Sequence, residues 1–133
     1  MATNRQLREA VADTLASAFG ASWNVEDRHP ESVTGRTLVV GGIDWEEVEL
    51  GGGRTSTVSV YIVVPRKNRA FIDELDEVTD PDESTSVPAA FNADPTLGSV
   101  VDYCVVKSSG DYRDLEIGGQ SHYAATVVVE VAH

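Results

Sequence analysis

The stretch IDWEEVELGGGRTSTVSVYIVV, residues 43–64, decides how this chain folds. Two strand-like runs, Ile43–Leu50 and Thr55–Val64, flank Gly51-Gly52-Gly53, which is the pattern of a β-hairpin. The second arm alternates. Val58, Val60, Ile62 and Val64 fall on one face, and Thr57, Ser59 and Tyr61 fall on the other. The first arm, Asp44-Trp45-Glu46-Glu47-Val48-Glu49, is far more polar, so a hairpin with one buried and one acidic arm can project beyond the core. Upstream, Thr37–Val40 reads as a buried strand closed by Gly41-Gly42. Before it lies a short extended stretch around Trp23–Val25, followed by a polar loop containing His29-Pro30.

The outer segments complete the architecture. At the N-terminus, Thr3 and Gln6 form a T-x-x-Q capping box, in which each side chain satisfies an orphan backbone donor. Leu7, Val11, Leu15, Ala18 and Phe19 recur at helical spacing, and Gly20 supplies a left-handed stop. After the hairpin, Pro65–Arg69 is a basic punctuation mark. Ala70–Thr79 follows as a helix with Phe71, Ile72, Leu75 and Val78 inward and Asp73, Glu74, Asp76 and Glu77 outward. Asp80-Pro81 ends it. A further short helix follows Ser84–Ser86, with Pro88 in its first turn, and Asp94-Pro95 terminates it. The last third reads as a meander of three antiparallel strands. These are Ser99–Lys107, Tyr112–Ile117 and Gln120–Val131, turned at Ser109-Gly110 and at Gly118-Gly119. Tyr123, Ala125, Val127, Val129 and Val131 share one face of the final strand.

The fold class expected is therefore α+β: a mixed, largely antiparallel sheet with a long hairpin and a C-terminal three-strand meander, packed on an N-terminal helix and two short central helices. At 133 residues and 41% hydrophobic content, one domain spanning 1–133 is expected. Chain order leaves open whether the strands form one sheet or two.

Charge narrows the partners. A formal net charge of −12 opposes general nucleic-acid binding and docking on an anionic membrane. It suits a protein that stays soluble before assembly or lets DNA pass without sticking. With Cys104 as the only cysteine, neither an internal disulfide nor a cysteine-based metal cage is available, which fits a reducing compartment. The N-terminus lacks the pattern of a signal peptide, and the longest apolar runs are too short to span a bilayer.

The search for catalytic motifs finds none that is complete. The glycine cluster before Arg54-Thr55 lacks the lysine of a phosphate loop and precedes a strand where that loop needs a helix. His29-Pro30-Glu31 matches the H-x-E of zinc deaminases, but the cysteine pair downstream is missing. Ser121 and His122 are neighbours in a strand and point to opposite faces, so they cannot serve as nucleophile and base to each other. His122 reads as a cross-strand partner or exposed residue. Cys104, inside a strand, reads as a small buried hydrophobe. The acidic run Asp73–Glu83 lacks the order of an EF-hand and reads as a solvated helix face. Either this run or Asp44–Glu49, paired with basic Pro65–Arg69 of a neighbouring copy, could also make a head-to-tail contact. No cofactor and no metal is expected, and the chain is expected not to be an enzyme.

Three features resemble the tail terminator family of long-tailed bacteriophages, in the versions known as minor tail or neck proteins of phages of actinobacteria. They are the amphipathic N-terminal helix leading to Trp23-Asn24-Val25, the phrase Ala93-Asp94-Pro95-Thr96-Leu97-Gly98, and the ending Glu116-Ile117-Gly118-Gly119-Gln120 before a valine-rich strand. The pattern spans nearly the whole chain. The resemblance implies a homo-hexameric ring on the head-proximal end of the tail tube. That ring stops tail elongation and offers the head-joining surface, with the tail tube protein and a head-closure connector as partners. DNA would pass through its channel without specific binding. Assembly would take place in the host cytoplasm and the product would be a virion component.

No family motif singles out individual residues. Charge and hairpin reasoning alone nominates Trp45, Glu46, Glu47, Arg54, Arg66, Lys67 and Arg69 as subunit contacts. The competing expectations are a head-closure or tail-completion protein, a monomeric protein-binding module, and a small hydrolase built from scattered Asp, Glu and His.

Overall fold

Alternation in the valine-rich strands and the 3.6-residue spacing in the helices predict two surfaces that must cover one another, and the computed structural model shows them doing so. It describes residues 3–28, 30, 35–47, 54–65 and 70–133, with the side chains of residues 21, 45–47, 54, 70 and 71 outside that description. In chain order, α1 (Asn4–Phe19) leads through a 3-10 turn into β1 (Asn24–Glu26), β2 (Thr37–Glu47) and β3 (Arg54–Pro65). Then come α2 (Ala70–Thr79), α3 (Val87–Ala93), β4 (Tyr103–Ile117) and β5 (Gln120–Ala132). The strands form one five-stranded sheet of order β1-β2-β3-β5-β4. β1 runs parallel to β2 and every other pair is antiparallel, so the sheet is mixed and the fold is α+β.

The helix ends follow their local chemistry. Thr3 and Gln6 make both hydrogen bonds of the capping box, at 2.9 and 3.1 Å. α1 stops at Gly20, whose φ of 59° with ψ of −136° is a conformation open to glycine but not the left-handed helical stop expected. Ser86 caps α3 by accepting from the Ala89 N–H at 3.1 Å, with Pro88 in the first turn as expected. α1 buries Leu7, Ala10, Val11, Thr14 and Leu15, while Ala18, which the apolar spacing places in the stripe, is exposed.

All three helices cover one face of the sheet. Leu7, Val11, Leu15, Leu75, Val78, Val87 and Phe91 join Val58, Val60, Ile62 and Val64 of β3 and Ala125, Val127, Val129 and Val131 of β5 in one cluster. Register explains the match: Val58 pairs with Val129, Val60 with Val127 and Ile62 with Ala125, so both apolar rows stand on the same side. Arg8 ties α1 to the sheet from the side. Its Nη1 donates to the main-chain oxygens of Asp27 and Val40 at 2.9 and 2.8 Å.

Three expectations are corrected. Gly41-Gly42 does not close a strand. It sits at a bulge between Val40 and Ile43 inside a continuous β2. The C-terminal third is not a three-strand meander, because Ser109-Gly110 lies within β4 and not at a turn. β4 keeps pairing with β5 across two irregularities, Val106/Ser108 and Gly110/Arg113, with Gly110 at φ 140° and Asp111 at φ 55° absorbing the bend. The true turn is Gly118-Gly119, with φ of 59° and 78°, the left-handed pair that a two-residue hairpin connection demands. The described part of the β2–β3 hairpin does not project from the sheet. β5 flanks β3 down to Thr55, which pairs with Ala132, and Ser56 is fully buried. The Gly51-Gly52-Gly53 turn and His29 lie outside the described residues.

Candidate interaction surface

Because the helices cover one face only, the opposite face of the sheet and its long edge remain for partners. Val39, Val63, Ile117 and Ala124 form a second, smaller apolar cluster on that opposite face, roofed in part by Tyr61 and Leu115. The same residues and Arg113 line a pocket of about 240 Å³. Arg113 is ion-paired with Asp111.

The sheet has unequal edges. β1 is three residues long, whereas β4 is fifteen, and most of its side chains are exposed. An edge strand of that length offers a row of backbone donors and acceptors for another chain. Its two irregularities interrupt the row, a common protection against unwanted pairing. The exposed large hydrophobic residues of the described chain gather at its start: Val100 at 42%, Tyr103 at 53% and Val105 at 47% exposure. Tyr103 stands opposite Ala132 and Val105 opposite Glu130, and Glu130 pairs with Lys107 at 3.7 Å.

The loop feeding this edge is built to hold its shape. Leu97, Gly98 and Ser99 are consecutive left-handed residues, at φ 50°, 68° and 69°. Two of them are not glycine, which costs on the order of 1–2 kcal/mol each. The offset is visible: Leu97 is buried, Asp94 accepts the Gly98 N–H, and the Thr96 carbonyl accepts from both Val100 and Val101. One of the three features behind the family resemblance, residues 93–98, thus runs into a pinned left-handed loop.

A second concavity, of about 450 Å³, lies between α1, α2 and α3, with Phe19, Trp23, Val78 and Ala90 among its apolar walls and Glu74 and Glu77 beside them. Arg36 stacks on the Trp23 ring at 4.9 Å and donates to the Ser22 carbonyl at 2.9 Å.

The seven nominated contacts are placed unevenly. The backbones of Trp45, Glu46 and Glu47 pair with Ser56, Thr55 and Arg54, which brings four of them together at one end of the hairpin. Arg66, Lys67 and Arg69 lie outside the described residues. Sequence reading did not find the Val100–Tyr103–Val105 cluster. Its alternation is that of any half-buried strand, and only the sheet order reveals that β4 is an edge.

The chemically suggestive side chains have structural surroundings. Cys104 is buried, and its thiol pKa is pushed up to about 11, first by burial and then by the negative charge of Asp94. His122 is buried, with Nδ1 3.0 Å from the Gln120 carbonyl. Ser56 and His133, seventy-seven residues apart, are buried and hydrogen-bonded at 2.7 Å. The acidic run stands mostly in solvent, with Asp76 accepting from the Tyr112 hydroxyl at 2.5 Å. Among the described residues no helix is long and apolar enough to cross a membrane.

The chain matches no protein-family model and no curated protein. Among solved structures it is similar to a chain from the virion of a native gene transfer agent particle. Identity is 12% and the TM-score 0.44, over 96% of this chain and 95% of that one. A likeness that distant transfers neither a role nor a partner.

Proposed function

We propose that this protein is a ring-forming structural component of a phage-like virion. In this reading copies of the chain, six of them by the family resemblance, cap the head-proximal end of a tail tube, block further addition of tube subunits, and present the surface that a head-closure connector joins. DNA crosses the channel without specific contacts. The work is done by surfaces and needs no catalytic group or cofactor.

The observation that carries the reading is the long β4 edge with Val100, Tyr103 and Val105 exposed at one end. Exposed apolar side chains beside an open edge are the ingredients of association. The conformation of the Asp94–Val101 loop adds support, since a strained segment held in place by its surroundings is a usual mark of a contact site. The acidic charge keeps unassembled copies soluble and weakens attraction to DNA. Trp45, Glu46, Glu47 and Arg54, and the basic residues Arg66, Lys67 and Arg69, are proposed as further subunit contacts.

Electron microscopy of lysates from a phage carrying an early stop codon in this gene tests the role. Overlong tails of variable length beside separate DNA-filled heads are expected. Tails of normal length that fail to join heads would assign the chain to the head-closure ring instead, and intact virions would overturn both.

A further inference from the structure

The groove between α1, α2 and α3 combines apolar walls with two carboxylates. Phe19, Trp23, Val78 and Ala90 line it, and Glu74 and Glu77 stand on its α2 side. Arg36, its one cation among the described lining residues, is already engaged with Trp23 and the Ser22 carbonyl. Elsewhere α2 and the turn that follows it carry Asp73, Asp76, Asp80, Asp82 and Glu83. Among the described residues no cation pairs with any of these carboxylates.

The described cations are occupied elsewhere. Arg5 pairs with Glu9, Arg28 with Asp27, Lys107 with Glu130 and Arg113 with Asp111, while Arg8 bonds two main-chain oxygens. Of the ten Lys and Arg residues in the chain, the densest group is Arg66, Lys67 and Arg69. That group is followed directly by Ala70, the first residue of α2. Glu77 lies seven residues further on, about 10 Å along the helix axis.

We infer that the helix groove is a docking site for residues 66–69 of a second copy of this chain, with Glu74 and Glu77 meeting its cations. The inference rests on the ring reading and deepens it. A head-to-tail contact needs two different, complementary patches on one chain, and the acidic groove and the basic segment are such a pair.

Sedimentation of the purified full chain at low and high salt tests this. The groove variant Glu74→Lys/Glu77→Lys and the segment variant Arg66→Glu/Lys67→Glu/Arg69→Glu are each expected to weaken self-association at least about tenfold at low salt. An equimolar mixture of the two is expected to recover it, because each interface then again joins opposite charges. Recovery cannot come from misfolded chains, so it separates lost contacts from lost folds. Association that persists in both variants, or that the mixture fails to restore, overturns the groove inference and leaves the ring standing. A wild-type chain that stays monomeric at every concentration overturns both.

Discussion

The ring of Tyr61 rests against the backbone of Gly41, where any other residue would carry a side chain. A methyl at that position would overlap the ring edge and come 3.0 Å from the Ser59 carbonyl oxygen. This contact crosses the β2–β3 pair beside the bulge and lets Tyr61 lean over the outer-face cluster. Gly41→Ala should therefore destabilise the protein by about 1–3 kcal/mol, as overpacking does. Tyr61→Ala should recover part of that cost, giving a favourable coupling in a double-mutant cycle read by urea unfolding. Additive effects would mean that the ring is not what excludes a side chain at Gly41.

Ser56 and His133 should prove a stabilising pair. Replacing Ser56 by Ala removes a buried hydrogen bond and leaves the His133 Nε2 to lose it, a cost of about 1–3 kcal/mol. Thermal melts of Ser56→Ala against wild type check this. An unchanged midpoint would show that solvent reaches the ring.

Cys104 should react slowly. With its pKa near 11 in place of 9.0, the thiolate fraction at pH 8 is smaller by about a hundredfold, and disulfide-exchange reagents should label the folded chain that much more slowly than the unfolded one. The same shift sets a sign for stability. The folded state favours the protonated thiol, so this contribution is complete below pH 9.0 and is lost as pH rises through about 11. Tyr112, raised by burial and by its bond to Asp76, acts in the same direction. A urea midpoint that falls across this alkaline window, and falls less in Cys104→Ala, is the expected result.

Charging the β4 edge should separate association from folding. Tyr103→Lys and Val105→Glu replace side chains that are about half exposed, so the melting midpoint should move little. Self-association measured by sedimentation should drop. Equal loss of both would mean that these residues belong to the core.

Ser86 should contribute as a helix cap. Ser86→Ala leaves the Ala89 N–H without its acceptor and should cost about 1 kcal/mol, measurable by chemical denaturation.

What the sequence determined by itself is what neighbouring residues decide among themselves. The Thr3–Gln6 box, the Ser86 cap with Pro88 behind it, the Gly118-Gly119 turn and the alternation of β3 and β5 depend on contacts a few residues apart, and each stands in the structure as read. Fates that depend on distant partners were not legible. Gly41-Gly42 and Ser109-Gly110 carry the composition of turns, yet β3 and β5 pair straight past them and convert them to bulges, because ladder hydrogen bonds on both sides outweigh a local preference to turn. The Ser56–His133 bond joins the start of β3 to the end of β5, side by side in the sheet but seventy-seven residues apart in the chain, and leaves no trace in spacing. The candidate surface is the extreme case. Tyr103 and Val105 look in sequence like any buried alternating pair, and they are exposed because their register opposite Ala132 and Glu130 sets them on the face without helices, on a strand that β5 leaves at the edge. Exposure is a property of the whole sheet order, which no local pattern encodes.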